Sequence, residues 1–178
     1  YRDATNVHLK VAHCADVVCS SATAATTLDS GTSVGGATPV TVGADGRGLV
    51  GYFDNGAANL KVAHCSDVAC TAATAATVDS ATFVGEYASI SVGIDGLGVV
   101  SYWDHASALN LKVAHCVDVA CSAATTTVVD SPNNVGSFSS LAIGADGLPL
   151  VTYRDVTNNG VRVAHCPNVF CVGHLRRR

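Results

Sequence analysis

The sequence predicts an all-β fold, a β-propeller-like array of four-stranded antiparallel blades. Three observations predict it. The element Val-Ala-His-Cys starts at residues 11, 62, 113 and 163, intervals of 51, 51 and 50 residues. Within each interval, short runs rich in Val and Thr alternate with Gly, Asp and Ser turn residues, as strands and turns do. No stretch reads as a helix, because the Ala-rich pieces are interrupted by Thr and lack charged i, i+4 partners. One four-stranded unit cannot bury both of its faces, and stacking neighbours around an axis does so. A β-solenoid is the alternative, although its coils are usually much shorter than this period.

The elements of a copy follow in order. The first strand is read from SISVGID, residues 89–95, and Gly96 opens a turn. Asp-Gly recurs at 45–46, 95–96 and 146–147, and between Val-rich runs it signals a hairpin, because both residues tolerate positive φ. The second strand, GVVSYWD (98–104), carries a Tyr-x-Asp element that starts at 1, 52, 102 and 153. After a polar loop, NLKVAHC (110–116) supplies the third strand, and AATTTVVDS (123–131) the fourth. Asp-Ser at 29–30, 79–80 and 130–131 and Val-Gly at 34–35, 84–85 and 135–136 link successive copies. The 178 residues therefore make a single repeat domain of about 3.5 repeats, or about fourteen strands. Cut at the Tyr-x-Asp element, it comprises a partial repeat 1–51, repeats 52–101 and 102–152, and a partial repeat 153–178.

The succession YASISVGIDGLGVVSYWD, LNLKVAHC, Val-Asp-Ser and Val-Gly resembles a secreted bacterial repeat of about 50 residues. That repeat has a strand ending in Asp, a Gly turn, a strand ending in Ser-Tyr-x-Asp, a Leu-Lys-x-Ala strand and a Val-Asp-Ser/Val-Gly linker. The likeness covers nearly the whole chain. It implies β-propeller blades in an extracellular or cell-surface protein and names no ligand. The cysteine pair is an addition to the basic repeat.

All eight cysteines fall in Cys-x4-Cys pairs: Cys14 with Cys19, Cys65 with Cys70, Cys116 with Cys121, and Cys166 with Cys171. An even count at fixed spacing predicts disulfides and an oxidising compartment. Each closed loop is short and contributes about 2 kcal/mol by chain entropy. A zinc site needs four convergent ligands. Asp16, Asp67 or Asp118 could join a His and two Cys, but the last copy has Asn168. The residue order is wrong for c-type haem. The expectation is therefore no metal and no cofactor. His13 shares a strand face with Leu9 and Val11, so His13, His64, His115 and His165 read as half-buried groups donating to a neighbouring strand's carbonyl.

All thirteen aspartates sit at repeat-locked places, as do Lys10, Lys61, Lys112 and Arg162. Such charges read as turn caps, side-chain-to-backbone bonds and blade-to-blade ion pairs. Glu86, the one Glu, stands alone in a loop, which gives no glycosidase carboxylate pair. A net charge of −4 offers no basic field for nucleic acid, and Arg176, Arg177 and Arg178 read as a tail. No run approaches the roughly 18 apolar residues of a membrane span.

Ligand-binding candidates are positions that vary between copies. The middle residue of Tyr-x-Asp is Arg2, Phe53, Trp103 and Arg154, on the face away from Tyr and Asp. Beyond Val-Gly stand Ala37, Tyr87 and Phe138. Aromatic rings beside Arg can stack on sugars or peptides.

The function expected is that of a secreted extracellular or cell-surface structural repeat protein, not an enzyme, stapled by disulfides. A carbohydrate- or peptide-binding lectin-like propeller is the alternative, and a propeller glycan hydrolase comes last. The chain opens on Tyr-Arg-Asp, which recurs at 153–155, so it reads as starting inside a repeat, late in a blade's second strand, and as stopping after a third. Closed propellers take about four to eight blades. Open ends template pairing with another chain, so the expected partner is self, in a ring or filament, besides a glycan or surface partner.

Overall fold

A computed structural model of the chain describes residues 1–105 and 108–173, and the backbone of 176–177. Among these residues it contains strands and no helix. The first sheet holds β1 (Leu9–Val11) and β2 (Thr26–Asp29), with Arg2 bridging to Leu9. The second holds β3 (Val34–Gly36), β4 (Val40–Val42), β5 (Gly48–Asp54), β6 (Asn59–Cys65) and β7 (Ala73–Asp79). The third is a meander of β8 (Val84–Val92), β9 (Gly98–Asp104), β10 (Asn110–Cys116) and β11 (Ala124–Asp130). The fourth holds β12 (Val135–Ile143), β13 (Pro149–Asp155) and β14 (Gly160–His165), with the two-residue β15 (Arg176–Arg177) beside β14. That last pairing differs from the expected stop after a third strand.

Every pairing among these strands is antiparallel. A solenoid of parallel coils is therefore not the arrangement. The second sheet repeats the third with its first strand broken between β3 and β4, where Pro39 has no N–H to give the ladder. Val-Gly, read as a linker, instead opens the first strand, so β8 runs nine residues from Val84. The sheets span 34–79, 84–130 and 135–177, so a copy cut at Tyr-x-Asp straddles two sheets. Each first strand also slips in register, between Glu86 and Ser89 in β8 and between Ser137 and Ser140 in β12. The extra residue takes the left-handed conformation: φ is 41° at Ala37, 50° at Tyr87 and 54° at Phe138. Such bulges bend a strand and re-aim a side chain.

The sheets bury their apolar faces against one another. Leu9, Leu28, Val34 and Tyr52 form one layer of core. Leu60 and Val62 meet Val84, Ile90 and Tyr102 in the next. Leu111 and Val113 meet Val135, Leu141 and Tyr153 in the third. Glycine of Val-Gly sits where a neighbouring backbone passes. A Cβ at Gly136 (φ +110°) would lie 2.7 Å from Cα of Leu111, and one at Gly85 (φ +109°) 2.9 Å from Cα of Leu60.

A charged lock crosses each layer. Asp29, which ends β2, accepts from the Tyr52 hydroxyl at 2.5 Å and from Lys61 Nζ at 2.7 Å, both on the second sheet. Asp79 accepts from Tyr102 (2.6 Å) and Lys112 (2.5 Å), and Asp130 from Tyr153 (2.6 Å) and Arg162 (2.9 Å). Burial, with the facing carboxylate, pushes the Tyr52 and Tyr102 hydroxyls far above their ordinary range. Burial alone would raise Asp29 and Asp79, but the lysine and tyrosine hydrogen bonds outweigh it and hold both carboxyls below the ordinary range. The blade-to-blade ion pairs read from the repeat-locked charges are thus present as sheet-to-sheet pairs. Turn caps are present too: Asp45, Asp95 and Asp146 each accept a backbone N–H two residues on, at 3.1 Å.

Candidate functional site

Two ends of each sheet carry different chemistry. One end holds the hairpin aspartate, the histidine and the cysteines. All four Cys-x4-Cys pairs are closed internally as disulfides: Cys14–Cys19, Cys65–Cys70, Cys116–Cys121 and Cys166–Cys171. Inside the loop, Asp16, Asp67 and Asp118 each accept from a hydroxyl four residues on, at Ser20, Thr71 and Ser122. Those hydroxyl bonds hold the three carboxyls below their ordinary range. In the last copy position 172 is Val, which has no hydroxyl. Asn168 stands in for Asp there: its Oδ1 accepts from the Val172 N–H at 3.1 Å and its Nδ2 donates to the Val172 carbonyl at 2.6 Å. The oxidised sulfurs leave no thiolate for the Cys-His-Asp sets to offer a metal.

The histidines differ from expectation in their partner. His64 Nε2 lies 2.9 Å from Asp45, and His115 and His165 lie 2.8 Å from Asp95 and Asp146. The acceptor is the hairpin carboxylate of the same sheet, not a strand carbonyl, because the first turn folds Asp over the end of the third strand. His13 is exposed, in a sheet with no such hairpin.

The opposite end carries most of the rings that break the repeat. Tyr87 and Phe138, both raised by their bulges, approach to 4.2 Å between centroids. Tyr87 lies 5.8 Å from Trp103, which stacks on His105 at 4.5 Å with a 19° interplanar angle. Phe83 meets His105 edge-on at 6.3 Å. Five rings from the third and fourth sheets thus form one continuous ridge. Glu86 flanks it, with Oε2 3.3 Å from His105 Nδ1. Beside the ridge, between the second and third sheets, Gly36, Ala37, Phe53, Asn55, Glu86 and Tyr87 line a cleft of about 200 Å³. Trp103 is 9% exposed, and its indole N–H has no acceptor among the described residues.

Of the six ligand-binding candidates other than Ala37, the structure brings together Tyr87, Trp103 and Phe138, with Phe53 across the cleft. Arg154 lies beside Phe138 but on the outer face of the fourth sheet. Arg2 stays apart, in the first sheet, donating to Ser33 Oγ at 3.2 Å. Glu86 is in strand β8 with a histidine partner, not alone in a loop. Phe83 and His105 were missed. Their signal is departure from the pattern: Ser33 and Asn134 stand where Phe83 does, and Asn55 and Val156 where His105 does.

The fold and its staples define an all-β repeat protein of stacked antiparallel sheets, stabilised by four disulfides. No helix among the described residues is long and apolar enough to cross a membrane. No family model matches the chain, and no curated protein does. Among solved structures it is similar to a protein of unknown function from Dyadobacter fermentans DSM 18053, with TM-score 0.61 and 15% identity. That match covers 86% of this chain and 46% of the other. It is also similar to an alpha-L-arabinofuranosidase from Lactobacillus brevis, with TM-score 0.51 and 10% identity over 76% of this chain and 50% of the other. At these identities the likeness is one of fold. The chain spans about half the length of each.

Proposed function

We propose that the protein is a secreted, non-enzymatic structural repeat of propeller type, whose sheets are blades and which self-associates through its uncovered end faces. The observation that carries this reading is Val161. It is 80% exposed at the position where Leu60 and Leu111 are 0% exposed beneath the next sheet. Thr152 and Arg154 share that open face, where the matching Ser101 and Trp103 are buried. At the opposite end of the stack Val40 is 63% exposed, while the matching Ile90 and Leu141 are buried. Uncovered faces that expose apolar residues such as Val161 and Val40 beside polar ones are suited to interaction. A second copy is the occupant proposed, giving a ring or a filament according to the rotation between copies. The disulfides fit an extracellular, oxidising setting. The repeat-locked aspartates support a non-enzymatic role, since locks, turns and loops engage most of them, such as Asp29, Asp79, Asp45, Asp95, Asp16 and Asp67.

Sedimentation velocity at micromolar concentration tests the reading, with wild type beside Val161→Asp. Wild type is expected to sediment as a species larger than one 18.0 kDa chain, and Val161→Asp to shift it to monomer. A stable wild-type monomer overturns it.

A further inference from the structure

We propose that the aromatic ridge and the cleft beside it form a binding site for a neutral oligosaccharide. This goes beyond the structural reading and does not depend on it: the cleft lies between the second and third sheets, and only Phe138, at the far end of the ridge, borders the open face of the fourth sheet. Three observations carry it.

The first is where the rings are. Tyr87 and Phe138 are held in the left-handed region, at φ 50° and 54°, a conformation that costs an aromatic residue about 1–3 kcal/mol. The bulge itself recurs in every complete sheet, but the second sheet fills it with Ala37. The bulge is therefore structural, whereas the rings placed on it in two adjacent sheets are not required by it. They pack on each other and still remain 36% and 59% exposed.

The second is the Trp103 indole N–H, a donor nine-tenths buried with no acceptor among the described residues. Buried tryptophan N–H groups normally find a partner, and this one, closed to solvent, lies in the row of rings between Tyr87 and His105 that a ligand would cover.

The third is the charge and hydrogen-bonding character of the cleft. Glu86 presents a carboxylate that can only accept, with the His105 imidazole 3.3 Å away, and Asn55 presents a side-chain amide whose Nδ2 also donates to the Ser33 carbonyl at 3.0 Å. A ligand here must both donate and accept while laying an apolar face on rings. Sugar hydroxyls do both, and the axial C–H face of a pyranose covers an aromatic ring. A proline-rich segment also docks on aromatic grooves, but its imide nitrogens offer no donor to Glu86. The cleft lining carries one carboxylate and no cation, and Arg154 stands beyond it beside Phe138, which disfavours phosphorylated or acidic ligands in the cleft. The ridge joins two sheets, a span that suits more than one sugar ring.

Isothermal calorimetry on the intact, oxidised chain tests the site, using neutral gluco-, manno- and galacto-oligosaccharides and a proline-rich decapeptide as probes. At least one oligosaccharide should bind. Tyr87→Ala should weaken it about tenfold or more without lowering the unfolding midpoint, since Ala37 already occupies the matching left-handed position. Trp103→Phe keeps a ring and deletes the N–H, and should weaken binding roughly three- to tenfold. Absence of binding across the oligosaccharide panel, wild-type affinity in Tyr87→Ala, or preference for the decapeptide would each overturn the proposal.

Discussion

Replacing glycine by alanine within Val-Gly measures how closely the sheets are stacked. Gly35, Gly85 and Gly136 hold the same place in three sheets, and all three have positive φ, at +92°, +109° and +110°. An L side chain there costs about 1–2 kcal/mol in backbone strain alone. The surroundings then separate the three. At Gly35 the nearest atoms to a new Cβ lie at 3.4 Å, an ordinary contact. At Gly136 they are Leu111 Cα at 2.7 Å, Leu111 N at 2.8 Å and the Asn110 carbonyl at 3.0 Å, all backbone of the preceding sheet. No rotamer change relieves that overlap, so the sheets must part, which adds about 1–3 kcal/mol as overpacking does. Gly136→Ala should therefore lose about 2–5 kcal/mol, and Gly35→Ala about 1–2 kcal/mol. For a chain of this size each kcal/mol lowers the midpoint by about 2–4 °C. Guanidinium and thermal unfolding of the oxidised chain, followed by circular dichroism, would read both. If Gly136→Ala is no more destabilising than Gly35→Ala, the close stacking of the third and fourth sheets is refuted.

Acid should unfold the protein over a defined window. Asp29 and Asp79 are held below the ordinary carboxylate range when folded, so they bind protons less readily folded than unfolded. Their contribution is complete above the unfolded value, near pH 4, and is lost as pH falls through the lower folded values. The denaturant midpoint should stay level down to about pH 5 and drop below about pH 4, and a midpoint that climbs on acidification would contradict this. Mass spectrometry without reduction should recover each Cys-x4-Cys loop closed on itself, and free thiols in any of the four would count against it. Replacing Cys116 and Cys121 together by alanine should cost about 2 kcal/mol, read by the same unfolding curves. A loss below about 0.5 kcal/mol would show that the staple contributes little.

What was legible in the sequence is what is local. The hairpins at Asp45-Gly46 and Asp95-Gly96, the third strand with its row of Leu, Val and His, and the five-residue span between paired cysteines all need only neighbouring residues. What crosses between sheets was legible as a pattern without its partners. The recurrence of Asp29, Tyr52 and Lys61 implied a structural bond, but not that one aspartate would take both donors from the following sheet. Val-Gly looked like a linker because Gly is a turn residue. In the fold its missing Cβ serves close backbone approach instead, inside a strand. The histidines were assigned to the right face but the wrong acceptor, since a carboxylate carried by a turn has no fixed direction in a strand pattern. The ridge was half visible. Tyr87, Trp103 and Phe138 stood out by varying between copies, whereas Glu86 and His105 become a pair only when the linker and the turn after β9 fold together.

Residues that recur in every copy hold the sheets together, and Phe83, Tyr87 and Phe138, which break the repeat, face outward, whereas Phe53 and Trp103 are buried. Thermal unfolding midpoints of two sets of variants test this division most directly. Asp79→Ala would leave Lys112 (side chain 11% exposed) and the buried Tyr102 hydroxyl without their shared acceptor. A buried pair broken in this way loses about 3–5 kcal/mol, or roughly 6–20 °C here. Asp29→Ala should follow in the same direction by less, because Lys61 keeps Asp54 at 3.5 Å. Tyr87→Ala, Phe138→Ala and Phe83→Ala touch exposed rings and should stay within about 2 °C of wild type. If the aspartate variants melt with wild type, or the outward rings cost as much as the aspartates, the division is wrong.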